Sequence, residues 1–458
     1  MPFYFCETFF SPMKLACKIS CFFCLLLFFL QADGQQNDAL FKDSGWSFHF
    51  QITGISQAHP AFSSPYSAQN SLQHEAENAV SITSTVFIGR KLWKGAAVYF
   101  NPEMSGGRGM SSTVGIAGFP NGETFRIGDP APVIYIGRIF LRQYISLDKD
   151  HFEYIEDDAN QVKEKVPTSR IVLSVGKFGM ADFFDNNTVS HDPRTDFMNW
   201  ALMNNGAYDY PANTKGYTVG FVAEYIKPTW AFRMATALVP TYANGPYLDF
   251  NYPRASSETA EFEKSYLINK HKGTVRLLGY FNVSKAPNYD EVVKEKMDGT
   301  DTSMDVIYGK EYGGKKYGFG INADQEITGS LNAFMRLGWN DGKTASWAFC
   351  EIDNTASLGA RLYGKGWKRP TDNIGLAFLT NGISSSHRNF LNAGGYGFMI
   401  GDGKLPNYSR ENIIEVFYQL KVFSYLWASA DYQFVLHPAY NADRGPVHVF
   451  AARVHIEL

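Results

Sequence analysis

Arginine and carboxylate side chains recur in the polar phase of segments in which every second residue is apolar. The basic members are Arg138, Arg142, Arg233, Arg276, Arg336, Arg361 and Arg453. The acidic members are Glu103, Glu224, Glu411, Glu415, Asp431 and Glu457. Guanidinium and carboxylate groups can hydrogen-bond adjacent hydroxyls of a sugar. A set of mixed sign suits a neutral polar solute better than an anion or a cation.

A second interpretation of these charges is structural. Arginine–glutamate pairs that cross a lumen can stiffen a barrel wall without touching a solute, so both interpretations stay open for each residue. Arg138 and Arg142 also share their phase with Ile134, Ile136 and Phe140, so their inward direction is the least certain. Aromatic faces that can stack on a sugar ring are supplied by Tyr99, Trp200, Trp347 and Tyr363.

The elements that must position these residues are period-two segments of about ten residues. The final segment, residues 447–458, places Phe450 and Val454 on one face and Arg453 and His455 on the other. A charged side chain on a lipid-facing surface costs ~2–4 kcal/mol at the bilayer midplane, so the charged phase is predicted to face a lumen. The pattern predicts an all-β fold, a transmembrane antiparallel barrel of about 16 strands. Interface aromatics are expected at Trp46, Phe48, Tyr217, Tyr225, Tyr418 and Tyr432.

The links between these segments fall into two length classes. Short polar links are predicted at residues 91–95, 226–229, 269–273 and 340–343. Long links rich in Gly, Asn, Asp and Pro are predicted at residues 105–131, 179–215, 285–314 and 384–409. Short turns at one end and long loops at the other are typical of outer-membrane barrels. Helical insertions are predicted at residues 69–78 and 196–205.

The chain begins with the features of an export signal. Residues 22–30 form an apolar run too short to span a bilayer, with Lys14 and Lys18 before it and small residues after it. We therefore predict a signal peptide at residues 1–34, with Met13 as a possible true start, and one outer-membrane barrel domain at residues 35–458. Only Cys350 of the five cysteines would remain after cleavage, which precludes an internal disulfide. The net charge of -3 shows no polybasic signature of nucleic-acid binding.

Motifs of enzymes and cofactor sites are scarce in this sequence. It has no HExxH, no Walker loop and no G-x-S-x-G elbow, so no enzyme activity, cofactor or metal site is expected. An outer-membrane hydrolase remains an alternative if Ser386, His387 and Asp402 come together as a triad. The stretch at residues 182–187 has oxygen ligands suited to Ca²⁺, but its spacing is not that of an EF-hand, and a capped loop turn is the preferred interpretation.

Several loop sequences resemble the carbohydrate-selective porin family (OprB type) of Gram-negative outer membranes. They are GFPNGETFR at 118–126, DNN at 185–187, FMNWALMNN at 197–205, NAGGYGF at 392–398, GDG at 401–403 and HPAYNADRGP at 437–446. The resemblance runs over nearly the whole mature chain. It implies a 16-stranded barrel whose long external loops fold into the pore and admit sugars by passive, selective diffusion. It also implies a constriction at residues 185–205, with Asn186, Trp200 and Asn205 as solute contacts.

The leading hypothesis is therefore an outer-membrane sugar porin. Its expected pore-lining or substrate residues are Glu103, Arg138, Arg142, Asn186, Trp200, Asn205, Arg276, Arg336 and Arg361. Its expected partners are mono- or small oligosaccharides as solutes, outer-membrane lipid and the barrel assembly machinery, with no nucleic acid. The barrel is a monomer or a homotrimer. A third hypothesis, a secreted all-β sugar-binding protein, predicts a water-soluble chain without bilayer conductance.

Overall fold

The computed structural model describes residues 45–124 and 130–458, and within them sixteen strands close into one antiparallel barrel. The described residues contain eighteen strands, of which all but β5 and β6 belong to the barrel. They are β1 Trp46–His59, β2 Glu77–Trp93, β3 Ala96–Gly107, β4 Val133–Ser146, β5 Phe152–Ile155, β6 Glu164–Pro167, β7 Arg170–Phe178, β8 Thr218–Lys227, β9 Trp230–Leu238, β10 Ser256–Ile268, β11 His271–Ser284, β12 Gly314–Thr328, β13 Leu331–Asn340, β14 Asn354–Gly364, β15 Arg369–Gly382, β16 Glu411–Phe423, β17 Leu426–Leu436 and β18 Val447–Glu457. Strands β5 and β6 form a separate two-stranded sheet, and β4 pairs directly with β7. The predicted fold class and strand number are confirmed.

The first and last strands close the barrel. β1 and β18 pair antiparallel, beginning with Gln51 opposite Glu457. Because both end strands are paired, the barrel offers no free edge to lipid. On β18 the side chain of Phe450 is exposed, whereas that of Arg453 is buried. These are the two faces that the alternation predicts.

The connections at the two ends of the barrel differ in length, as predicted. At one end, short turns lie at residues 94–95, 228–229, 269–270, 329–330, 365–368 and 424–425. At the other end, the strands are joined by long loops. Two of these loops matter below: loop A, described at residues 108–124, and loop B, residues 179–217.

One predicted hairpin link, at residues 340–343, is wrong. β13 ends at Asn340, but the chain continues to residue 353 at the long-loop end before β14 begins. The Asn340 amide donates to the backbone oxygens of Ala207 (3.1 Å) and Ile352 (2.9 Å). These bonds hold the segment against loop B, so the Asp-Gly pair after Asn340 opens a packed loop rather than a hairpin.

Helices in the described residues are short and lie in loops: α1 Trp200–Met203, α2 Tyr289–Asp298 and α3 Ser385–Asn392. The predicted insertion at 196–205 contains α1, capped by the Asn199 side chain. The helix predicted at 69–78 is wrong, because Asn70 and Ser71 use their side chains to bind another loop. Within residues 45–124 and 130–458, no helix has the length and hydropathy to cross a bilayer.

The lumen is partly filled by the loops themselves. Phe119 of loop A and Phe197 and Leu202 of loop B are fully buried. The ring of Phe197 meets Phe417 of β16 edge-on, with ring centroids 5.0 Å apart. Long external loops therefore fold into the barrel, as the resemblance implies.

A segment at the short-turn end also packs against the inner wall. This inner segment, residues 147–169, contains β5 and β6 and was not predicted from the sequence. The Val162 amide donates to the Tyr99 hydroxyl (3.3 Å), and Glu164 pairs with Lys91 (2.6 Å). A Cβ atom at Gly89 would lie 2.9 Å from Val162, so the missing side chain at Gly89 makes room for this contact. The predicted leader, residues 1–34, and positions 125–126 of the first motif lie outside the described residues.

Candidate functional site

Carboxylates on the barrel wall hold loop B inside the lumen. Glu415 of β16 accepts hydrogen bonds from the backbone amides of Met198 (2.5 Å) and Asn199 (3.0 Å). Glu261 of β10 accepts one from the amide of Asp185 (2.7 Å). The inward acids predicted from the alternation therefore fix the path of the loop.

Arg336 of β13 binds the same loop through its carbonyl groups. Its two Nη atoms donate to the oxygens of Leu202 (2.7 Å) and Ser190 (2.7 Å), and its Nε lies 3.0 Å from the Asp185 carboxylate. The side chain is 0% exposed. Arg336 thus lies on the inner face, but loop B covers it completely.

Arg361 and Arg453 have similar positions. Arg361 of β14 pairs with the carboxylate of Asp196, and Arg453 of β18 donates to the backbone oxygens of Pro193 (2.6 Å) and Asp196 (2.9 Å). Three arginines from three strands therefore bind successive parts of loop B.

Asn205 docks the end of the same loop onto the wall. Its Nδ2 donates to the Leu337 oxygen (2.9 Å), and its Oδ1 accepts from the Ala207 amide (3.1 Å). A Cβ atom at Gly338 would lie 1.9 Å from that Oδ1, and one at Gly320 would lie 2.5 Å from Nδ2. The two glycines thus leave the space that Asn205 occupies.

Loop A is fixed in the same manner. Glu411 of β16 accepts hydrogen bonds from the amides of Ala117 (3.0 Å), Gly118 (2.7 Å) and Ala439 (2.9 Å). The Asn199 amide of loop B donates to the Gly118 oxygen (2.8 Å), so the two loops are joined to each other as well as to the wall.

Between the two loops lies a narrow neck of about 30 Å³. Trp200 lines it and is 4% exposed, with its ring 4.5 Å from that of Phe349. Tyr210 packs on the other side of Phe349, with a centroid distance of 4.2 Å. The neck is also lined by Met203, Thr214, Lys215 and Asn244. The predicted aromatic contact Trp347 is buried elsewhere and donates its indole N–H to the Pro240 oxygen.

A cluster of alternating charge lies next to the neck. Arg138 of β4 binds both carboxylate oxygens of Asp182 (2.6 and 2.7 Å) and donates to Glu103 (3.1 Å). The Tyr217 hydroxyl donates to the same Glu103 oxygen (2.5 Å), and Tyr217 follows Gly216, which lines the neck. Burial raises the pKa of the Asp182 carboxyl, but Arg138 outweighs this and holds the pKa below its usual range.

An inner cavity of about 170 Å³ lies beyond this cluster, towards the short-turn end. It is lined by six polar side chains: Arg142, Arg170, Arg233, Asp182, Asn186 and Glu224. Arg142 donates to the Asn160 oxygen of the inner segment (3.0 Å), and its guanidinium lies 5.2 Å from the Tyr99 ring centre. Among the residues that the structure describes, no carboxylate lies within ion-pair distance of Arg142. The predicted residues Arg142 and Asn186 thus come together here.

Arg276 belongs to a ladder of ion pairs on the neighbouring strands β8 to β12. It binds Glu263 (2.9 Å) and Asp324 (2.6 Å), and Arg233 binds Glu224 (2.9 Å) and Glu263 (3.2 Å). Arg233 and Glu224 face each other across strands β9 and β8. Arg233 and Arg276 are each paired with carboxylates. This arrangement agrees with the structural interpretation of the inward charges, in which ion pairs stiffen the barrel wall.

Sequence reasoning missed Tyr217 and Asp182. Tyr217 was placed on the lipid-facing side, but it is 2% exposed inside the barrel, because it precedes β8 and follows Gly216 at φ 88°. A glycine next to a strand indicates that the period-two alternation of that strand does not extend beyond it. Within the suggested calcium stretch, Asp182 binds Arg138 and Asp185 binds Asn205 and Arg336, so its carboxylates serve protein donors.

The three residues of the hydrolase alternative do not meet. The Ser386 hydroxyl donates to Asp290 (2.7 Å), and His387 Nδ1 lies 3.1 Å from Asp353. Asp402 accepts from the Ser71 hydroxyl (2.5 Å). A triad needs a hydrogen bond from the nucleophile to the histidine, which these partners preclude.

A closed 16-stranded barrel with lipid-facing apolar residues and loops folded into a polar lumen defines an outer-membrane porin. The chain belongs to the carbohydrate-selective porin, OprB family, whose sequence profile matches residues 88–458. No curated protein sequence matches the chain. The chain is thus a carbohydrate-selective porin of the bacterial outer membrane, and this place excludes the soluble, secreted alternative.

Solved structures show the same fold. The high-pH structure of OprB from Pseudomonas putida aligns with a TM-score of 0.68 and 15% identity, over 91% of this chain and 95% of that chain. The outer-membrane channel DcaP of Acinetobacter baumannii aligns with a TM-score of 0.50 and 7% identity, over 90% and 97% of the two chains.

Proposed function

We propose that neutral mono- or small oligosaccharides diffuse passively through the neck, past the Arg138 cluster and into the inner cavity. The observation that carries this route is the close alternation of Arg138, Glu103 and Asp182 around the Tyr217 hydroxyl. A sugar hydroxyl can both accept from the guanidinium and donate to a carboxylate. A small ion would meet attraction and repulsion within the same few ångströms, so the cluster favours a neutral solute.

The nine predicted site residues take different roles in this proposal. Glu103, Arg138, Arg142 and Asn186 contact the solute. Trp200 shapes the neck. Arg336, Arg361 and Asn205 are positioning residues that hold loop B, and Arg276 supports the wall through its ladder of carboxylates.

Other parts of the proposal concern partners and chemistry. Each barrel forms its own sugar route in this proposal, as a monomer or as one unit of a homotrimer. Insertion by the outer-membrane assembly machinery and cleavage of residues 1–34 remain predictions. We further propose that the channel has no catalytic step and no cofactor, which the separate partners of Ser386 and His387 support.

The test is single-channel conductance of the full-length, detergent-purified protein in a planar bilayer, titrated with glucose and maltose, with gluconate as the charged control. We expect glucose or maltose to reduce the current in steps, and gluconate to do so less. Arg138→Gln removes the central donor and should weaken the sugar block several-fold. Arg369→Gln is the matched control, because this arginine pairs with Asp372 at the short-turn end.

Two outcomes would overturn the proposal. A folded barrel whose current is indifferent to every neutral sugar would leave no sugar route. A sugar block that is equal in Arg138→Gln and Arg369→Gln would remove the Arg138 cluster from the route. Heat-modifiable migration on a denaturing gel verifies that each variant is folded.

A further inference from the structure

A second cavity, of about 260 Å³, lies at the long-loop end of the barrel and adjoins the neck. Four different loops line it with Ser112, Thr113, Thr124, Thr214, Asn244 and Phe398. Thr214 and Asn244 also line the neck, so the two spaces share a wall. We call this space the mouth cavity. Among the residues that the structure describes, no charged side chain lines it, in contrast to the inner cavity.

An unusual turn of loop A brings two hydroxyl groups to this cavity. Ser111, Ser112 and Thr113 have φ angles of 46°, 58° and 76°. Residues other than glycine and asparagine rarely adopt such positive values. The Glu77 carboxylate accepts from the Ser111 amide (2.7 and 2.8 Å) and hydroxyl (2.8 Å) and thereby holds the turn. A strained conformation persists only where its surroundings impose it, and such strain is typical of ligand-binding segments.

The hydroxyls of this turn are available for a ligand. Among the residues that the structure describes, Ser112 Oγ and Thr113 Oγ1 have no hydrogen-bond partner. Thr214 instead donates to Asn244 (2.5 Å), and Asn244 donates to the Ala348 oxygen (3.0 Å), which fixes the orientation of that amide. The cavity therefore offers free hydroxyls on one side and oriented acceptors on the other.

The size and chemistry of the cavity fit one sugar ring. Its volume is below the roughly 300–1,000 Å³ of sites for drug-sized ligands. Hydroxyl and amide groups can exchange donors and acceptors with the hydroxyls of a pyranose, and the Phe398 ring supplies an apolar wall. A charged solute would lose hydration there without meeting a countercharge.

We propose that the mouth cavity is an entry subsite that binds one neutral pyranose ring before the ring passes the neck. This inference rests on the proposed function, since it places an earlier binding step on the same route. Its consequence is a direction-dependent effect, because only sugar arriving from the long-loop side meets the mouth cavity before the neck.

The experiment compares glucose block from each side of the bilayer in the full-length barrel and in Ser112→Ala/Thr113→Val. Valine has the shape of threonine without its hydroxyl, so the cavity keeps its volume. We expect the glucose association rate from the long-loop side to fall several-fold in this variant and the rate from the short-turn side to change much less. Thr302→Val, an exposed residue outside the cavity, is the control and should match wild type.

The outcomes separate the two proposals. If glucose blocks wild type and the double variant equally from both sides, the mouth subsite is wrong and the proposed function stands. If wild type shows no sugar block at all, the proposed function fails and the subsite fails with it. Ser112→Ala alone changes an exposed side chain and keeps the test valid should the double variant fold poorly.

Discussion

Arginines on two parts of the inner wall share one sequence signature but have different partners. On β13, β14 and β18, Arg336, Arg361 and Arg453 are covered by loop B and bind its carbonyl or carboxylate oxygens. On β4, Arg138 keeps 16% of its side chain exposed, and Arg142 lines the inner cavity. Inward-facing arginines on β13, β14 and β18 therefore bind loop B, whereas those on β4 face open space in the lumen.

The path of loop B accounts for this difference. Its buried backbone carbonyls need donors, because an unsatisfied buried polar group costs about 1–3 kcal/mol. The arginines on β13, β14 and β18 supply those donors, so their guanidinium groups are not available to a solute. Near β4 the loop offers mainly the side chain of Asp182, which engages Arg138 and leaves Arg142 without a carboxylate. Among these arginines, solute contact is therefore expected for those of β4 and not for those that loop B covers.

The largest effect is expected from Arg336→Ala. This change would remove the cationic partner of the buried Asp185 carboxylate and the donor to the buried Ser190 oxygen, and it would take one of two donors from the Leu202 oxygen. Removing one partner of a buried pair typically costs about 3–5 kcal/mol. We expect a large drop in the midpoint of guanidinium unfolding in detergent, followed by circular dichroism.

Arg369→Ala provides the matched control for this stability experiment. The Arg369 side chain is 48% exposed and pairs with Asp372, and exposed ion pairs contribute about 0–1 kcal/mol. If Arg336→Ala unfolds at the same guanidinium concentration as Arg369→Ala, then Arg336 does not hold loop B and the comparison between the two walls fails.

A smaller effect, dependent on pH, is expected on the β4 side. In wild type Arg138 keeps the pKa of Asp182 depressed, so the stabilisation from this pair is present above the unfolded pKa of about 3.9 and is lost as pH falls through the lower folded value. Arg138→Gln removes the guanidinium that lowers this pKa, while burial still raises it and the Gly179 amide still donates to the carboxylate. The variant should therefore become more stable relative to wild type as pH falls from 7 to 5.

The measurement is the guanidinium midpoint of both proteins at the two pH values. Arg138→Gln/Asp182→Asn lacks the Asp182 carboxyl, so the pH-dependent difference that comes from Asp182 should be absent from it, and Glu103, which also loses Arg138, is the carboxyl that remains in this cluster. A pH-dependent difference that persists in this double variant would show that another group is responsible and would remove Asp182 from the explanation.

Much of the barrel could be predicted because the bilayer imposes a strict rule on each strand. On β11, Leu277 and Phe281 are exposed and Arg276 is buried, as the period-two pattern requires. The same rule fails where a segment leaves the lipid. The inner segment and Tyr217 obey no bilayer constraint, so alternation carried no information on them.

The residue types of the site could be predicted from the sequence. Which of these residues face the lumen and which hold loop B could not. The sequence places both Arg336 and Arg142 on the inner face, although the phase of Arg142 also contains Ile134 and Phe140. Which of them faces the lumen depends on Asn199, Leu202 and the other parts of loop B, whose path is set by contacts more than a hundred residues apart in the chain. No local pattern records such contacts.

The smallest effect is expected from Arg142→Gln. Among the residues that the structure describes, Arg142 donates one hydrogen bond, to the Asn160 oxygen, and has no carboxylate that its loss would leave unpaired, so stability should fall by only about 1 kcal/mol. Its charge nevertheless acts on the inner cavity, and removing it should move the reversal potential in a KCl gradient towards cation selectivity. Arg142→Lys keeps the charge and should retain the wild-type potential. If the reversal potential is the same in all three proteins, the charge of Arg142 does not act on ions in the channel. The difference between β4 and the arginines that loop B covers then rests on Arg138.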